Sequence, residues 1–564
     1  MRGPSGAPRA RRTGATLQPP TPPSRMRRRY LSATLLGAAA LAGCQSDPLS
    51  VRNTSAPTIE SLLTSASGTE TLISKLMQNA FVGQYNATDA IWPQTLVLSG
   101  ESEATVANFG MLARGGLPRA AIDNTPGNAV AAGNNRDFSF LTRASRIASQ
   151  SINALSQVQS SFPAADYARD RAFAFFALGY SLGHMALVYD RAAVITPATA
   201  NDDIPELSPA RTVFTAAMQM LDSAQALASS PAVTSGAGTS IPATWLATTA
   251  STSMPDFVRI VRSYKARIRA NMPRTPAEMS QVDWALVRDD ATAGIQRNLV
   301  INLSPGTGWQ VPWLNQAAVG STWHQMPYWG IGMADTTGAY ATWLGTPVTS
   351  RTPFLIRTPD RRFPQGETRA AQQSFQDAQI PKDTVVYFRN RPTGLDAVGG
   401  PTAGSQYDFF RFYEYRRNNS SAPWPLLTTA EVDMLAAEAH LRLGNVAPAV
   451  TLIDKYRVRA GLPAIGASAT SITSQVPGGN ACVPRVPTGG TLSCGTVLEA
   501  MKYEKRMETV FTGYGSWYFD ARRWNDLIAG TPLEWPVPYQ ETNARNLPVP
   551  INTRVAAPGN TYGW

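Results

Sequence analysis

The stretch from Thr428 to Gly461, TTAEVDMLAAEAHLRLGNVAPAVTLIDKYRVRAG, decides the fold. Its first half repeats apolar residues at the spacing that lines one face of a helix, namely Val432, Leu435, Ala436, Ala439 and Leu443. Gly444 and Asn445 then break the pattern with residues that tolerate a left-handed backbone. A second helical pattern follows at Ala449, Leu452, Ile453 and Tyr456. The stretch therefore predicts two helices joined by a tight turn.

This predicted unit has about 34 residues and small alanine side chains where its two helices touch, which is typical of a tetratricopeptide-type hairpin. Such a hairpin cannot bury its apolar faces alone and has to stack on others. Similar pairs of helical patterns occupy residues 167–228, 254–296 and 496–529. We therefore expect a mainly α fold, a tetratricopeptide-like helical superhelix of about four hairpins, within a single domain at residues 59–564.

Between residues 297 and 425 the helical pattern disappears. This region holds six of the 13 tryptophans in under a quarter of the chain, and turn signals alternate there with short mixed runs. The region predicts a large irregular, loop-rich insertion on the helical frame. Long ordered loops on a rigid frame are a usual location for binding, so we expect the ligand to bind in this insertion.

The N-terminus has the features of a secretory signal. Three arginines at 27–29 precede the apolar run 31–41, which leads into Leu-Ala-Gly-Cys at Cys44. The run is too short to span a membrane stably, and its ending resembles a bacterial lipobox, in which Cys44 is acylated and becomes the first residue. The alternative is that Cys44 is only a small residue near an ordinary cleavage site. Residues 1–25 indicate an over-extended start, because Met26 begins a well-proportioned signal, and residues 44–58 indicate a polar tether.

The formal net charge of +11 invites a nucleic-acid interpretation, but the charge is unevenly placed. Eight arginines precede Gly43, and no acidic residue precedes Cys44. The rest of the chain carries 42 lysines and arginines against 39 aspartates and glutamates, a net charge of +3. We therefore expect no nucleic-acid partner, and membrane contact only through the lipid anchor.

Two cysteines remain after Cys44 is assigned to lipid. Cys482 and Cys494 flank the loop VPRVPTGGTLS and form an even pair in a chain with a secretory signal, which favours a local disulfide. Zinc is the competing interpretation. It is disfavoured because no histidine or further cysteine lies nearby to complete four ligands.

Three stretches together resemble the SusD/RagB family of surface lipoproteins. The first is the lipobox at Cys44 followed by NTSAP at 53–57. The second combines AEVDMLAAEAHLRLGN at 430–445 with DKYRVRAGLP at 454–463, and the third combines KYEKRMETVF at 502–511 with WYFDARRWNDL at 517–527. Weaker support comes from RDRAFAFFALGYSLGHMALVYD at 169–190 and VPYQETNARNL at 537–547. The resemblance spans essentially all of residues 44–564.

One departure from the family pattern concerns residues 514–517, Tyr-Gly-Ser-Trp, where the family usually has Glu-Gly-His-Arg. It predicts that aromatic packing replaces a buried ion pair. Charged residues that can pair between facing helices persist around it, namely Glu504, Arg506, Glu508, Asp520, Arg522 and Arg523. We interpret this cluster as a scaffold network and not as a catalytic site.

The resemblance implies a nutrient-binding lipoprotein of the outer membrane, anchored by lipid and facing the cell exterior. It also implies a partner, a TonB-dependent transporter of the SusC kind, to which oligosaccharides or other nutrients are delivered. Sugars stack their C–H faces on aromatic rings while a few amides and acids fix the hydroxyls. A peptide ligand within the same family is one alternative, and a secreted glycoside hydrolase is another. A purely structural helical-repeat adaptor would explain neither the tryptophans nor the anchor.

No motif in the sequence indicates catalysis. HExxH, GxSxG and P-loop patterns are absent. The three histidines, His184, His324 and His440, are isolated, and two of them lie in helical patterns. A glycosidase needs only two carboxylates that folding brings together, but nothing in the sequence points to such a pair. We expect a protein that is not an enzyme and has no cofactor or metal.

The predicted ligand-binding residues all lie in the insertion. The aromatic candidates are Trp309, Trp313, Trp323, Tyr328 and Trp329. The polar candidates are Asn315, Gln325 and Asp335. The competing interpretation of each aromatic residue is that it packs the insertion. The prediction therefore concerns the group, and measuring both binding and stability distinguishes the two roles.

Overall fold

The computed structural model describes residues 58–107, 109–234, 239–317, 324–379, 386–394, 405–488, 491–551 and 554–558. Cys44 and Trp323, two of the predicted site residues, lie outside these ranges. The fold is mainly α, as the sequence predicts. The helices of at least eight residues are α1 Ala66–Ser74, α2 Leu76–Tyr85, α3 Ile91–Leu98, α4 Ala131–Gln157, α5 Ala164–Val188, α6 Ala210–Ala228, α7 Met254–Asn271, α8 Trp284–Thr292, α9 Arg369–Gln379, α10 Thr429–Arg442, α11 Val446–Arg459, α12 Val497–Thr509 and α13 Ser516–Trp524.

Short helices and two-stranded sheets complete the described fold. The short helices are Ile59–Leu62, Met111–Gly115, Pro231–Thr234, Ala243–Leu246, Trp313–Ala317, Tyr328–Ile331, Ala339–Gly345, Tyr413–Arg417 and Tyr539–Ala544. The strands are β1 Glu103–Ala104, β2 Arg191–Ala193, β3 Leu207–Pro209, β4 Ser240–Ile241, β5 Thr252–Ser253, β6 Leu299–Leu303, β7 His324–Gln325, β8 Phe388–Asn390, β9 Tyr407–Phe409, β10 Ala422–Leu427, β11 Arg485–Thr488 and β12 Thr491–Cys494. They pair antiparallel as β1–β7, β2–β3, β4–β5, β6–β10, β8–β9 and β11–β12.

The helices stack in chain order. Helix α5 packs on α4 and α6, α7 packs on α6 and α8, and α10 packs on α8, α11 and α12. The hairpin α10–α11 shows how the sequence sets these units. The Thr428 hydroxyl caps α10 by accepting from the amide of Glu431, and Gly444 adopts φ of 80° in the turn that leads into α11. Stacked hairpins bury the apolar faces that one hairpin leaves open.

Helix α5 is the centre of the helical core. It is long and apolar enough to cross a membrane by length and composition, with a mean hydropathy of 1.2, yet 94% of that apolar window is buried in the fold. Neighbouring helices approach its glycines closely. A Cβ on Gly179 would lie 2.7 Å from Leu221 of α6, and one on Gly183 would lie 2.5 Å from Ile268 of α7. The length and apolarity of α5 are therefore accounted for by helix packing.

A buried network of ion pairs joins α12 and α13 to the rest of the fold. Arg362 donates to Asp360 (2.7 Å), Glu504 (2.9 Å) and Glu508 (3.2 Å). On the other side, the Arg523 guanidinium pairs with Glu438 of α10 and with Asp520. Lys505 pairs with Asp520 as well (2.8 Å). The charged cluster in this part of the sequence is thus a set of contacts between helices.

The insertion at 297–425 contains helix α9, several short helices, strand β7, the pair β8–β9 and most of the pair β6–β10, so it is more helical than its sequence pattern predicts. Beside it, the hairpin β11–β12 is closed by a disulfide between Cys482 and Cys494, as the sequence predicts. A guanidinium nitrogen of Arg485 on this hairpin donates to the carbonyl of Thr336 (3.2 Å). The cross-linked hairpin therefore contacts both the insertion and the helical frame.

Candidate functional site

Four of the predicted ligand-binding residues serve the packing of the insertion. Trp309 lies against Phe81 of α2, with ring centroids 4.8 Å apart. The Tyr328 hydroxyl bonds to the backbone of Phe354, and the two rings stack at 4.0 Å. Asp335 and Asn315 also have described partners within the insertion. The Asp335 carboxylate accepts from the amide of Tyr340 (3.2 Å), and the Asn315 amide donates to Ser420 (2.7 Å).

The other three described candidates, Trp313, Gln325 and Trp329, lie close together around strand β7. The β1–β7 register places Gln325 opposite Glu103 and His324 opposite Ala104. The Trp313 ring is 4.3 Å from the His324 ring. Trp329, Glu103, Ser102 and Arg119 line one small cavity. We call this set the junction site, comprising Ser102, Glu103, Arg119, Trp313, His324, Gln325 and Trp329.

Glu103 is the unusual member of the junction site. Its residue is only 8% exposed, and neither carboxylate oxygen has a hydrogen-bond partner. Burial raises the pKa of Glu103 to about 8, although the nearby Arg119 guanidinium opposes the shift. A buried carboxylate without a donor is costly, so its place in a cavity indicates that a donor group from water or a ligand can bind there.

Arg119 and His324 add further polar atoms that lack a partner. Arg119 donates to the carbonyls of Arg114 and Val97 (both 3.3 Å), but its Nε has no acceptor. His324 Nδ1 is hydrogen-bonded to Ser102 Oγ (3.0 Å), and Nε2 has no partner. Burial lowers the pKa of Arg119 to about 10 and that of His324 to about 3, so the imidazole is neutral at pH 7.

The junction site is closed in this structure. Its cavity has a volume of about 10 Å³, which is room for one water molecule. Only two residues on each side form the β1–β7 pair that closes it. Sequence reasoning missed Ser102, Glu103 and Arg119, because the Ser102–His324 contact joins residues 222 positions apart and no local pattern marks them.

Two open clefts lie elsewhere and meet at Asp190, directly after α5. The larger, of about 520 Å³, is lined by Asp190, Arg191, Glu206, Leu207, Val537, Thr542, Arg545, Leu547, Pro548 and Pro550. The smaller, of about 320 Å³, includes Arg274, Glu278, Glu534 and Arg554. Burial, with the Glu534 carboxylate nearby, raises the pKa of Asp190 to about 6. We call the larger space the Asp190 cleft.

The described residues contain no group of three or more His, Cys, Asp or Glu side chains that could hold a metal ion. The carboxylates in the α12–α13 network are neutralised by arginine and lysine. The polar chemistry available at the junction site is hydrogen bonding beside indole rings.

Comparison with known proteins gives a family match over part of the chain and a likeness in fold. No curated protein matches the chain. The SusD family profile matches residues 377–555, which include α10 to α13. The chain is similar to a SusD superfamily protein from Parabacteroides distasonis ATCC 8503, with 10% identity, a TM-score of 0.53, and coverage of 85% of this chain and 98% of that chain.

Two further solved structures agree. A SusD superfamily protein from Bacteroides vulgatus ATCC 8482 has 11% identity and a TM-score of 0.52, with coverage of 82% of this chain and 89% of that chain. One from Bacteroides thetaiotaomicron VPI-5482 has 12% identity and a TM-score of 0.51, with coverage of 86% and 97%. Residues 377–555 thus match the SusD family model, and the chain that contains them has the fold of these solved SusD superfamily structures.

Proposed function

We propose that this protein is a binding protein for oligosaccharides, held by lipid at the outer membrane, that delivers its ligand to a TonB-dependent transporter of the SusC kind. The observation that carries the proposal is the SusD family match over 377–555 on a chain with the corresponding fold. The lipobox at Cys44 and the tether behind it support the anchor. The absence of catalytic motifs fits binding without chemistry.

The junction site is the ligand site in this proposal. Trp313 and Trp329 supply indole faces on which sugar rings stack, and Glu103 accepts hydrogen bonds from hydroxyl groups. Arg119 Nε and His324 Nε2 add polar atoms that have no partner in the closed form. A sugar is far larger than the 10 Å³ cavity, so binding requires the insertion to separate from residues 102–119. The β1–β7 pair that would part is only two residues long on each side, and the indole faces that opening exposes would be covered again by the sugar.

The test compares two buried tryptophans of the same insertion. Trp329→Ala removes an indole from the junction site, whereas Trp309→Ala removes one that packs on Phe81. Both variants lower the melting temperature, because each leaves a cavity in the core. Losing a stacking residue at a binding hot spot removes about 2 kcal/mol, or about thirtyfold in affinity. Calorimetric titration with oligosaccharide mixtures should show this loss for Trp329→Ala but not for Trp309→Ala.

Several outcomes would contradict the assignment of oligosaccharide binding to the junction site. Equal affinity in both variants would place the ligand elsewhere, and binding of peptides in preference to every oligosaccharide would favour the alternative ligand class. Glu103→Gln provides a second variant of the same site with a much smaller change in volume. It should weaken oligosaccharide binding without lowering the melting temperature, because the carboxylate forms no hydrogen bond in the closed form.

The anchor and the partner are tested separately from the ligand. Cys44→Ser removes the acylated thiol and should release soluble or unprocessed protein, since the proposed anchor is the lipid on Cys44. Membrane fractionation measures the result, and a correctly processed variant that stays in the membrane would contradict lipidation. Copurification of the wild-type protein from outer membranes, with mass spectrometry of what accompanies it, tests the partner, and the expected result is a plug-and-barrel transporter.

A further inference from the structure

Ile204 and Ile551 are the two most exposed large apolar side chains in the described part of the chain, at 71% and 84%. Each lies within two positions of a residue that lines the Asp190 cleft, Glu206 and Pro550, and we call the two isoleucines the apolar rim. Hydrogen bonds fix both segments: Arg545 Nη1 donates to the carbonyl of Pro205 (2.7 Å), and the Asn124 side chain donates to the carbonyl of Pro550 (3.2 Å). Exposed apolar side chains beside a cleft are of the kind that marks a contact with another molecule.

The apolar walls of the Asp190 cleft are aliphatic. Leu207, Val537, Leu547 and two prolines form them, and none of the described residues that line the cleft is aromatic. Leu547 is itself an exposed large apolar residue. A sugar would find no ring on which to stack, whereas aliphatic side chains of a polypeptide match walls of this kind. The cleft therefore differs in chemistry from the junction site.

The charges of the Asp190 cleft favour a cationic occupant. The Arg545 guanidinium is already paired with Glu541 (2.6 Å), and that of Arg191 donates twice to the carbonyl of Leu207 (3.1 and 2.7 Å). Glu206 is exposed and forms no ion pair with a described residue. The Asp190 carboxylate accepts from the backbone amide of Val537 (2.9 Å) and likewise has no ion pair in the described chain. Arg191 has no ion pair with a described residue either, so the unpaired charges of the cleft are two carboxylates and one guanidinium, a net charge of −1 that favours a basic group.

We propose that the Asp190 cleft docks an extended segment of a partner protein, which presents a lysine or arginine to Asp190 and Glu206 and aliphatic side chains to Leu547, Ile204 and Ile551. A protein segment fits better than a small ligand, because the exposed isoleucines extend the apolar surface beyond the cleft itself. This site is independent of the junction site and does not require that oligosaccharides bind there.

The test uses the full mature chain and fluorescent synthetic peptides, measured by anisotropy at low salt. One peptide has lysine between leucines, and the comparison peptide has glutamate in its place. Glu206→Arg reverses an open charge of the cleft. Asp202→Arg makes the same change on an exposed residue of the same loop that does not line the cleft. The expected result is binding of the lysine peptide that falls at least tenfold in Glu206→Arg, is unchanged in Asp202→Arg, and is weaker for the glutamate peptide.

A second variant tests the apolar part of the surface separately from its charge. Ile551→Ser changes the apolar rim without changing the charge, and its side chain is too exposed to support the fold. It should weaken the lysine peptide by several-fold at an unchanged melting temperature. Equal binding to wild type, Glu206→Arg and Ile551→Ser would overturn the proposal. Displacement of the peptide from the cleft by oligosaccharides would also overturn the proposal. A dimer of this chain, detected by light scattering and abolished by Glu206→Arg, would overturn it as well.

Discussion

Two regions of this protein bury charged side chains, and they do so in opposite ways. In the α12–α13 network, Glu438, Glu504 and Asp520 are fully buried, and each faces an arginine or a lysine. At the junction site, Glu103 is nearly as buried, and neither of its oxygens has a partner. A paired buried charge fixes how helices meet. Glu103, whose pKa is raised to about 8, keeps its proton at pH 7, and a buried polar group without a hydrogen-bond partner carries a cost of about 1–3 kcal/mol that a ligand can remove. The difference separates scaffold from candidate site.

The largest effect is expected in the network. Glu438→Ala leaves the buried Arg523 guanidinium with Asp520 as its remaining acidic partner among the described residues, and removing one partner of a buried pair typically costs about 3–5 kcal/mol. Urea denaturation measures the loss. The double replacement of Glu438 and Arg523 by methionine should recover much of it, because no uncompensated charge is left. If Glu438→Ala unfolds with wild-type stability, the network is not the scaffold that we describe.

The next largest loss of stability is expected from removing the disulfide of the hairpin that contacts the insertion. Cys482 and Cys494 are 12 positions apart, and closing a loop of this size contributes about 3 kcal/mol in the chain-entropy model. The double variant with serine at both positions should lose that amount, since the unfolded chain becomes less restricted. Single-cysteine variants are poor controls, because they leave a free thiol. Wild-type protein with the same melting temperature in the presence and absence of reductant would show that the disulfide adds no stability.

The smallest change in the free energy of unfolding is expected at the junction site. There the substitution should raise stability relative to wild type as pH increases, whereas the two changes above lower stability. The pKa of Glu103 is raised from 4.5 to about 8, so the folded protein retains a proton that the unfolded chain releases. The stability contributed by this group is present below pH 4.5 and is lost as pH rises towards 8, by about 1.4 kcal/mol per pH unit. Glu103→Gln should remove this dependence, leaving the variant more stable relative to wild type at pH 7 than at pH 6.

Denaturant unfolding of wild type and Glu103→Gln at both pH values isolates this contribution, because other titrating groups cancel in the difference. Parallel pH profiles would mean that the Glu103 carboxylate is solvated by water in the cavity. In that case the contrast between the paired network and the junction site would lose its energetic basis.

The sequence by itself determined the helical frame. The spacing of apolar residues in 428–461, the turn at Gly444 and the apolar composition of α5 are local properties, and local periodicity fixes which face of a helix is buried. The pairing of Cys482 with Cys494 was predictable for the same reason, since both flank one short loop.

Only the tertiary structure decided where the tryptophans lie and what surrounds them. Composition shows that the insertion is rich in indole rings, but it does not show that Trp309 packs on Phe81 while Trp329 shares a cavity with Glu103. The Asp190 cleft likewise joins the end of α5 to residues near 540, more than 340 positions away. Such contacts depend on how the stacked hairpins bring distant segments together, and no spacing within a segment encodes them.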